Sequence, residues 1–219
     1  MSDCQQKTEV LHASDANVAH AVEVLQAGGL IAFPTDTVYG VAALPWNVDA
    51  VARLYEVKQR PPDRPIPLLL SDAGQLSRVA TLPPGFSRPF KRLSARFWPG
   101  GLTLVLPKTR TVPGVVSPGP TVAVRVPDLS LTRDLIQTAG GVLAVTSANI
   151  SGQPSPITAQ AVEEQLGNRI DLILDGGPCR GGVPSSILDC TVSPPLLLRH
   201  GAIPAAILRA AIGPITMKR

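Results

Sequence analysis

Aromatic residues are scarce: Phe, Trp and Tyr make up 4% of the 219 residues. That is poor material for a platform on which successive bases stack. Cysteine is scarcer still. Cys4, Cys179 and Cys190 are an odd number with no CxxC spacing, which argues against a disulfide framework and against a structural zinc site. His12, His20 and His200 form no HxxxH or HExxH pattern, so no metal site or catalytic triad is expected from them. No apolar run approaches the ~18 residues that a membrane span needs. The opening MSDCQQKTEVLHASD is polar and lacks an apolar signal core, which leads us to expect a cytoplasmic protein with no membrane partner. The common nucleotide and hydrolase motifs are missing as well: there is no GxxxxGK[ST], no GxG and no GxSxG. A P-loop NTPase, a Rossmann dehydrogenase and an α/β-hydrolase lose their main support.

What remains is a chain built to fold. Hydrophobic residues are 44%, charged residues 16%, and mean hydropathy is +0.20. Such a balance excludes disorder as the main state. The length fits one large domain or two small ones. With 23 prolines and 19 glycines, many turns are expected. The net charge of +4 and pI near 9.3 suit an anionic substrate or a glancing nucleic-acid contact.

Helical and strand patterns interleave along the chain. Val18, Ala21, Val22 and Leu25 fall at i, i+3, i+4 and i+7, with Ser14 or Asp15 to cap the start and Gly28-Gly29 to end it. Leu30 to Phe33 reads as a short buried strand stopped by Pro34. Asn47 is a cap for a helix whose buried face is Val51, Leu54 and Val57. Further strands are expected at Ile66–Leu70, Leu102–Leu106, Thr121–Val126, Val142–Val145, Leu172–Leu174, Ser186–Leu188 and Leu196–Leu198. Further helices are expected after Ser71-Asp72, over Phe86–Phe97, Leu129–Thr138 and Thr158–Leu166, and after Pro204. No composition shift marks a linker. The simplest architecture is a single α/β domain with a large twisted mixed sheet flanked by helices, over residues 14–213, with polar tails at 1–13 and 214–219.

Four loops past these elements can carry chemistry. Thr35-Asp36-Thr37-Val38-Tyr39-Gly40 offers two hydroxyls, a carboxylate and backbone amides. It reads equally as a turn closed by its own side chains. Lys58, Arg60 and Arg64, stiffened by Pro61, Pro62 and Pro65, make an anion clamp or simply a solvated helix end. Thr146-Ser147-Ala148-Asn149-Ile150-Ser151-Gly152 and Ser155-Pro156 supply small hydroxyls suited to phosphate, ribose or carboxylate. Pro184-Ser185-Ser186 pairs with Leu197-Leu198-Arg199, where Arg199 leaves what reads as a buried strand. Arg125 is a lone cation on one face of an alternating strand. It needs a partner: Asp36, Asp128 or Asp189 in a salt bridge, or an anionic ligand.

Taken in order, PTDTVYG, the K-x-R-P loop, FWPGGLTLVL, VAVRVPD, TSANISGQPSP, LDGGPCRGGVPSSILD and LLRHGAI resemble the YrdC-like threonylcarbamoyl-AMP synthases. The resemblance runs from about Gly28 to Ile212. It implies a YrdC-like catalytic domain of the single-domain type and an enzyme that condenses L-threonine, bicarbonate and ATP to threonylcarbamoyl-adenylate, releasing pyrophosphate. A partner complex would then transfer the threonylcarbamoyl group to adenosine 37 of tRNAs that read codons starting with A. Magnesium would accompany ATP. By motif, Lys58, Arg60 and Arg64 would hold the triphosphate, with Lys58 and Arg60 catalytic, helped by Ser147, Asn149 and Ser155. Arg199 and Thr121 would complete the nucleotide site. Thr37, Arg125, Ser185 and the backbone of Val145 would bind threonine. Leu69 stands where members often carry His, and it cannot donate a hydrogen bond. Arg64, Ser185-Ser186 and His200 also depart from the usual residues.

Two rivals remain at this level. A hydrogenase-maturation carbamoyltransferase would need a far longer chain with cysteine clusters. A non-catalytic double-stranded-RNA or ribosome-binding protein, or an enzyme with direct RNA contact, is compatible with the basic balance.

Overall fold

Ser14 starts the first helix as its pattern demands: its Oγ accepts from Asn17 N at 3.3 Å, and α1 runs Asp15–Gln26. Asn47 does the same for α2, Val48–Val57, through Ala50 N at 3.0 Å, and Thr158 for α6, Ala159–Leu166. The remaining helices are α3 (Leu76–Val79), α4 (Ser87–Phe97), α5 (Ser130–Thr138) and α7 (Ala205–Ile212). The structure is a computed structural model and describes residues 7–217. Cys4, residues 1–6 of the expected N-terminal tail and 218–219 of the C-terminal one lie outside the described residues.

The strands are β1 (Glu9–His12), β2 (Ile31–Phe33), β3 (Gly40–Ala43), β4 (Leu68–Leu70), β5 (Leu102–Pro107), β6 (Thr121–Arg125), β7 (Val142–Ser147), β8 (Leu172–Asp175), β9 (Ser186–Asp189), β10 (Leu196–Arg199) and β11 (Thr216–Met217). They form one mixed sheet in the order β1-β8-β2-β3-β7-β4-β6-β5-β9-β10-β11. The expected fold class is therefore the observed one. Three local readings change. Residues 9–12 are not tail but an edge strand, parallel to β8. Thr216–Met217 pair in parallel with β10. Gly40–Ala43, where no strand is expected from the sequence, is a buried strand between β2 and β7. Its Gly-Val-Ala-Ala sequence carries almost no strand preference of its own.

Strand alternation divides the core in two. Ala32, Val41, Leu104, Val124, Ala144 and Leu188 face one side, where α2, α3, α4, α6 and α7 pack. Ile31, Phe33, Ala42, Leu143 and Leu172 face the other, where they meet Val18, Val22 and Leu25 of α1 and Leu135 and Ile136 of α5. Those two helices cover the half of the sheet around β8, β2 and β7. Over β6, β5 and β9 that same face carries Thr103, Ala123, Arg125, Ile187 and Asp189 and lines a cavity instead.

Candidate active site

The cavity holds about 420 Å³, within the ordinary range for a small-molecule site. Its floor is the uncovered sheet face. Thr103 lies beside Ile187 across the β5–β9 pair, and Leu69 lies beside Arg125 across the β4–β6 pair. Its walls are the loops at 35–40, 60–67, 146–155 and 184–185, with Leu198 and Arg199 from β10.

The 35–40 loop is a turn closed by its own side chains and also a wall of the cavity. Thr35 Oγ1 accepts from Thr37 N at 3.2 Å and Val38 N at 3.3 Å, and donates to Val38 O at 2.7 Å. Arg125 locks onto it. Nη2 donates to Asp36 Oδ1 at 2.5 Å, Nη1 to Thr37 Oγ1 at 2.9 Å, and Nε to Gly100 O at 2.9 Å. Asp36 is thus the partner among the three carboxylates considered. Arg125 is 6% exposed, and burial works against its charge while Asp36 supports it. A guanidinium has five N–H donors; two remain, on a side chain that lines the cavity.

Arg60 and Arg199 face the same space without a carboxylate. Arg60 bonds Arg64 O at 3.0 Å and Pro65 O at 2.9 Å, which closes its own loop. Arg199 bonds Ser185 O at 2.9 Å and Ser185 Oγ at 3.0 Å. Ser185 Oγ in turn meets Thr103 Oγ1 at 2.7 Å. Burial first, then the like charges of Arg125 and Arg60, pull the Arg199 guanidinium below its usual range. Among the described residues, Asp36 is the one carboxylate bridged to any of the three arginines. The cavity is therefore short of negative charge.

Thr37, Arg60, Thr121, Arg125 and Val145 line the cavity as expected, and so do Ser147, Ser155, Ser185 and Arg199. The Val145 N–H is taken by Pro67 O at 2.9 Å. Three expected residues do not line it. Lys58, 1% exposed, caps α2 and donates to the carbonyls of Ser147 and Asn149. Gln59 at φ +50° then turns the chain, so Lys58 points inward while Arg60 points to the cavity. Burial, helped by the Arg60 charge, pulls the Lys58 ammonium down to about 7. Asn149 spends its side chain on its own loop: Oδ1 accepts from Ser147 Oγ, and Nδ2 donates to Ile150 O and Gln153 O, both at 2.8 Å. The Arg64 side chain is exposed, and it is the Arg64 carbonyl that meets Arg60 and Tyr55 Oη. Arg199 does not leave a buried strand, since Leu198 is exposed and β10 has only Leu197 buried.

Sequence reasoning did not single out Thr103 or Ser117, and it weighed Asp189 only as a salt-bridge partner. Thr103 was findable: it is the polar alternate in Leu102-Thr103-Leu104. Ser117 gave no signal, because its place depends on a loop whose Oγ reaches Thr121 O at 2.6 Å.

Comparison with known proteins gives a consistent result. The family model Sua5/YciO/YrdC, described as telomere recombination, matches residues 23–201. The chain is 42% identical over 210 residues to a threonylcarbamoyl-AMP synthase of Bacillus subtilis, covering 95% of this chain and 60% of that protein. It is 33% identical to a putative threonylcarbamoyl-AMP synthase of Mycobacterium tuberculosis, covering 90% and 89%. It superposes on the crystal structure of Pyrococcus abyssi Sua5 complexed with L-threonine with a TM-score of 0.92, at 39% identity, over 96% of this chain and 63% of that one. The chain thus spans about six-tenths of the length of the Bacillus and Pyrococcus relatives.

Proposed function

The chain belongs to the Sua5/YciO/YrdC family, and from that premise we propose that its cavity condenses L-threonine, bicarbonate and ATP to threonylcarbamoyl-AMP. The observation that carries this reading is the convergence of Arg60, Arg125 and Arg199 on one cavity with a single bridged carboxylate. Such a site favours a ligand with several negative charges. The relative solved with L-threonine supports an amino acid as one of the ligands.

The division of labour comes from the neighbours of each arginine. Arg125 sits among Thr37, Leu69 and Val145 and has two free N–H groups for a carboxylate. Arg60 and Arg199, with Ser147, Ser155 and Thr121, form the side suited to a triphosphate. Threonine's amine attacks bicarbonate and water leaves; the carbamate oxygen then attacks the α-phosphorus and pyrophosphate departs. Charge builds on the departing oxygens, so preorganised cations and hydroxyls act mainly by positioning and electrostatics. Lys58 acts here through the loop it holds: both carbonyls it binds belong to the segment that presents Ser147.

Magnesium fits as an ion carried in on the triphosphate. Asp189 is the one carboxylate lining the cavity, and no group of three His, Cys, Asp or Glu suited to a metal occurs among the described residues. One or two carboxylates plus phosphates are the usual holders of such an ion. When bound, it would neutralise charge on the phosphates and on the leaving pyrophosphate. The product would pass to a tRNA threonylcarbamoyl-transfer complex in the cytoplasm. Among the described residues no helix is long and apolar enough to cross a membrane.

The test is pyrophosphate release by the purified chain with Mg-ATP, with threonine or bicarbonate omitted in turn. Release that requires both is expected. Release that ignores either one, or none from a folded protein, would overturn the proposal.

A further inference from the structure

We propose that the exposed face of α4 is a binding surface for the phosphodiester backbone of RNA, separate from the cavity. The choice of RNA over DNA rests on the tRNA-directed reading above; the surface itself does not. The helix reads Ser-Arg-Pro-Phe-Lys-Arg-Leu-Ser-Ala-Arg-Phe. Arg88, Lys91, Arg92 and Arg96 fall at i, i+3, i+4 and i+8, so they share one face. All four are exposed. None forms a salt bridge or side-chain hydrogen bond with another described residue. Their four charges equal the net +4 of the whole chain. No carboxylate lies on α4 itself to offset them.

The arrangement works against the helix that bears it. Arg88–Arg92 and Arg92–Arg96 are like-charge pairs at i,i+4, which destabilise a helix. Arg88 lies in the first turn, where the helix dipole disfavours a cation. No acidic residue and no side-chain cap offsets either effect. Arg96 alone has an offset, from the last-turn dipole and from the Phe97 ring 5.5 Å away; the other three break a local rule without a folding gain, which marks a functional place.

The location and the chemistry narrow the partner. Leu93 and Phe97, the buried residues of α4, belong to the core on the sheet face opposite the cavity. The stripe therefore cannot be a ligand of the cavity's anions. The neighbouring helix α7 adds exposed Arg209 and no carboxylate. A membrane-surface helix turns an apolar face outward, but here the apolar residues point in; Phe90 is half-buried and packs edge-on against Trp98 at 5.8 Å. A protein interface needs apolar anchors in its centre, and this face has none. A phosphate backbone needs only a row of cations. From Arg88 to Arg96 the helix rises about 12 Å, and a duplex offers a charge about every 1.7 Å of its axis.

The experiment measures binding of the full chain to a fluorescent RNA duplex by anisotropy across a salt series. The variants are R88Q/K91Q/R92Q/R96Q and, as a charge-matched control, neutralisation of the exposed Lys7, Arg110, Arg169 and Arg180. Loss of at least about tenfold in affinity is expected for the helix variant at low salt. Its log–log salt slope should flatten by up to about 0.9 for each cation removed. The control should lose far less. R88K/R92K/R96K should bind like the unmodified chain, and thermal unfolding of the Gln variant should be unchanged or raised. Unaltered RNA affinity in the Gln variant overturns the proposal. So does equal loss in the control, tighter binding to a DNA duplex than to RNA, or capture by anionic vesicles without RNA binding. Pyrophosphate release by the Gln variant should match that of the unmodified chain. Should the unmodified chain release none yet bind RNA through α4, the catalytic reading falls and the surface stands.

Discussion

Leu197 and Arg199 lie two residues apart on one strand yet face opposite sides of the sheet. Leu197 pairs with Leu188, and Arg199 pairs with Ile187, because the register slips between them. Leu188 belongs to the core and Ile187 to the cavity. In a regular strand residues i and i+2 share a face. The bulge supplies the extra residue that re-aims Arg199.

Arg199 is therefore worth testing as a phosphate ligand. Arg199→Ala should weaken ATP binding roughly ten- to a hundredfold by calorimetry, as expected for ~1.5–3 kcal/mol per charged hydrogen bond. Arg60→Ala should do the same. Unchanged affinity in a folded variant would remove that residue from the nucleotide site.

Arg125 predicts a different split. Arg125→Ala should raise the threonine KM while ATP binding stays nearly intact, since Arg125 neighbours Leu69 and Thr37. It also leaves Asp36, otherwise paired at 2.5 Å, without its cation, so lower thermal stability is expected. Equal loss of both substrates would contradict the division of the cavity.

Lys58 gives a pH signature. In the folded chain its ammonium is pulled down to about 7, whereas in the unfolded chain it keeps an ordinary value near ~10.4. Between those values the unfolded state binds more protons, so this group makes stability rise with pH from about 7 to about 10. Below about 7 its contribution is flat. Lys58→Met should remove that rise in denaturant titrations and raise the ATP KM by loosening the Ser147–Asn149 loop. A Met variant with the same pH slope would show that Lys58 is not its source.

Leu69 tests substrate choice. With Val145 and Ala123 it makes an apolar patch beside Arg125, which suits the threonine methyl group. One methylene in such a pocket is worth roughly 10–200-fold. Serine should therefore support pyrophosphate release with at least about tenfold lower kcat/KM. Parity between the two amino acids would show that the patch does not read the methyl.

Gly201 holds the Arg199 wall in place by having no side chain. A Cβ there would lie 2.3 Å from Pro184 O and 2.5 Å from the Ser185 carbonyl carbon. Gly201→Ala should displace Ser185 and with it the Arg199 bonds, lowering both thermal stability and ATP affinity. An unperturbed variant would mean that the 184–185 loop yields freely.

The helices were readable because their signals are local: Ser14, Asn47 and Thr158 bond an amide three residues on. So was the β6 alternation, with Val122 and Val124 in the core and Arg125 facing the cavity. So were the loops that carry most of the site, since hydroxyl-rich and cation-rich runs stand out from an apolar chain. Strand β3 was not, because Gly-Val-Ala-Ala is held between the preceding strand β2 and β7, which comes from a distant segment. Nor was the separation of Lys58 from Arg60, two residues apart. A single left-handed residue, Gln59, sends one into the core and the other to the cavity. The amino-acid order alone determined which groups are available and which elements form, because caps and periodicity act over a few residues. Which of those groups meet was decided by the sheet. Pairings such as Leu69 with Arg125 and Thr103 with Ile187 join segments far apart in the chain. Their register depends on packing that only the assembled sheet provides.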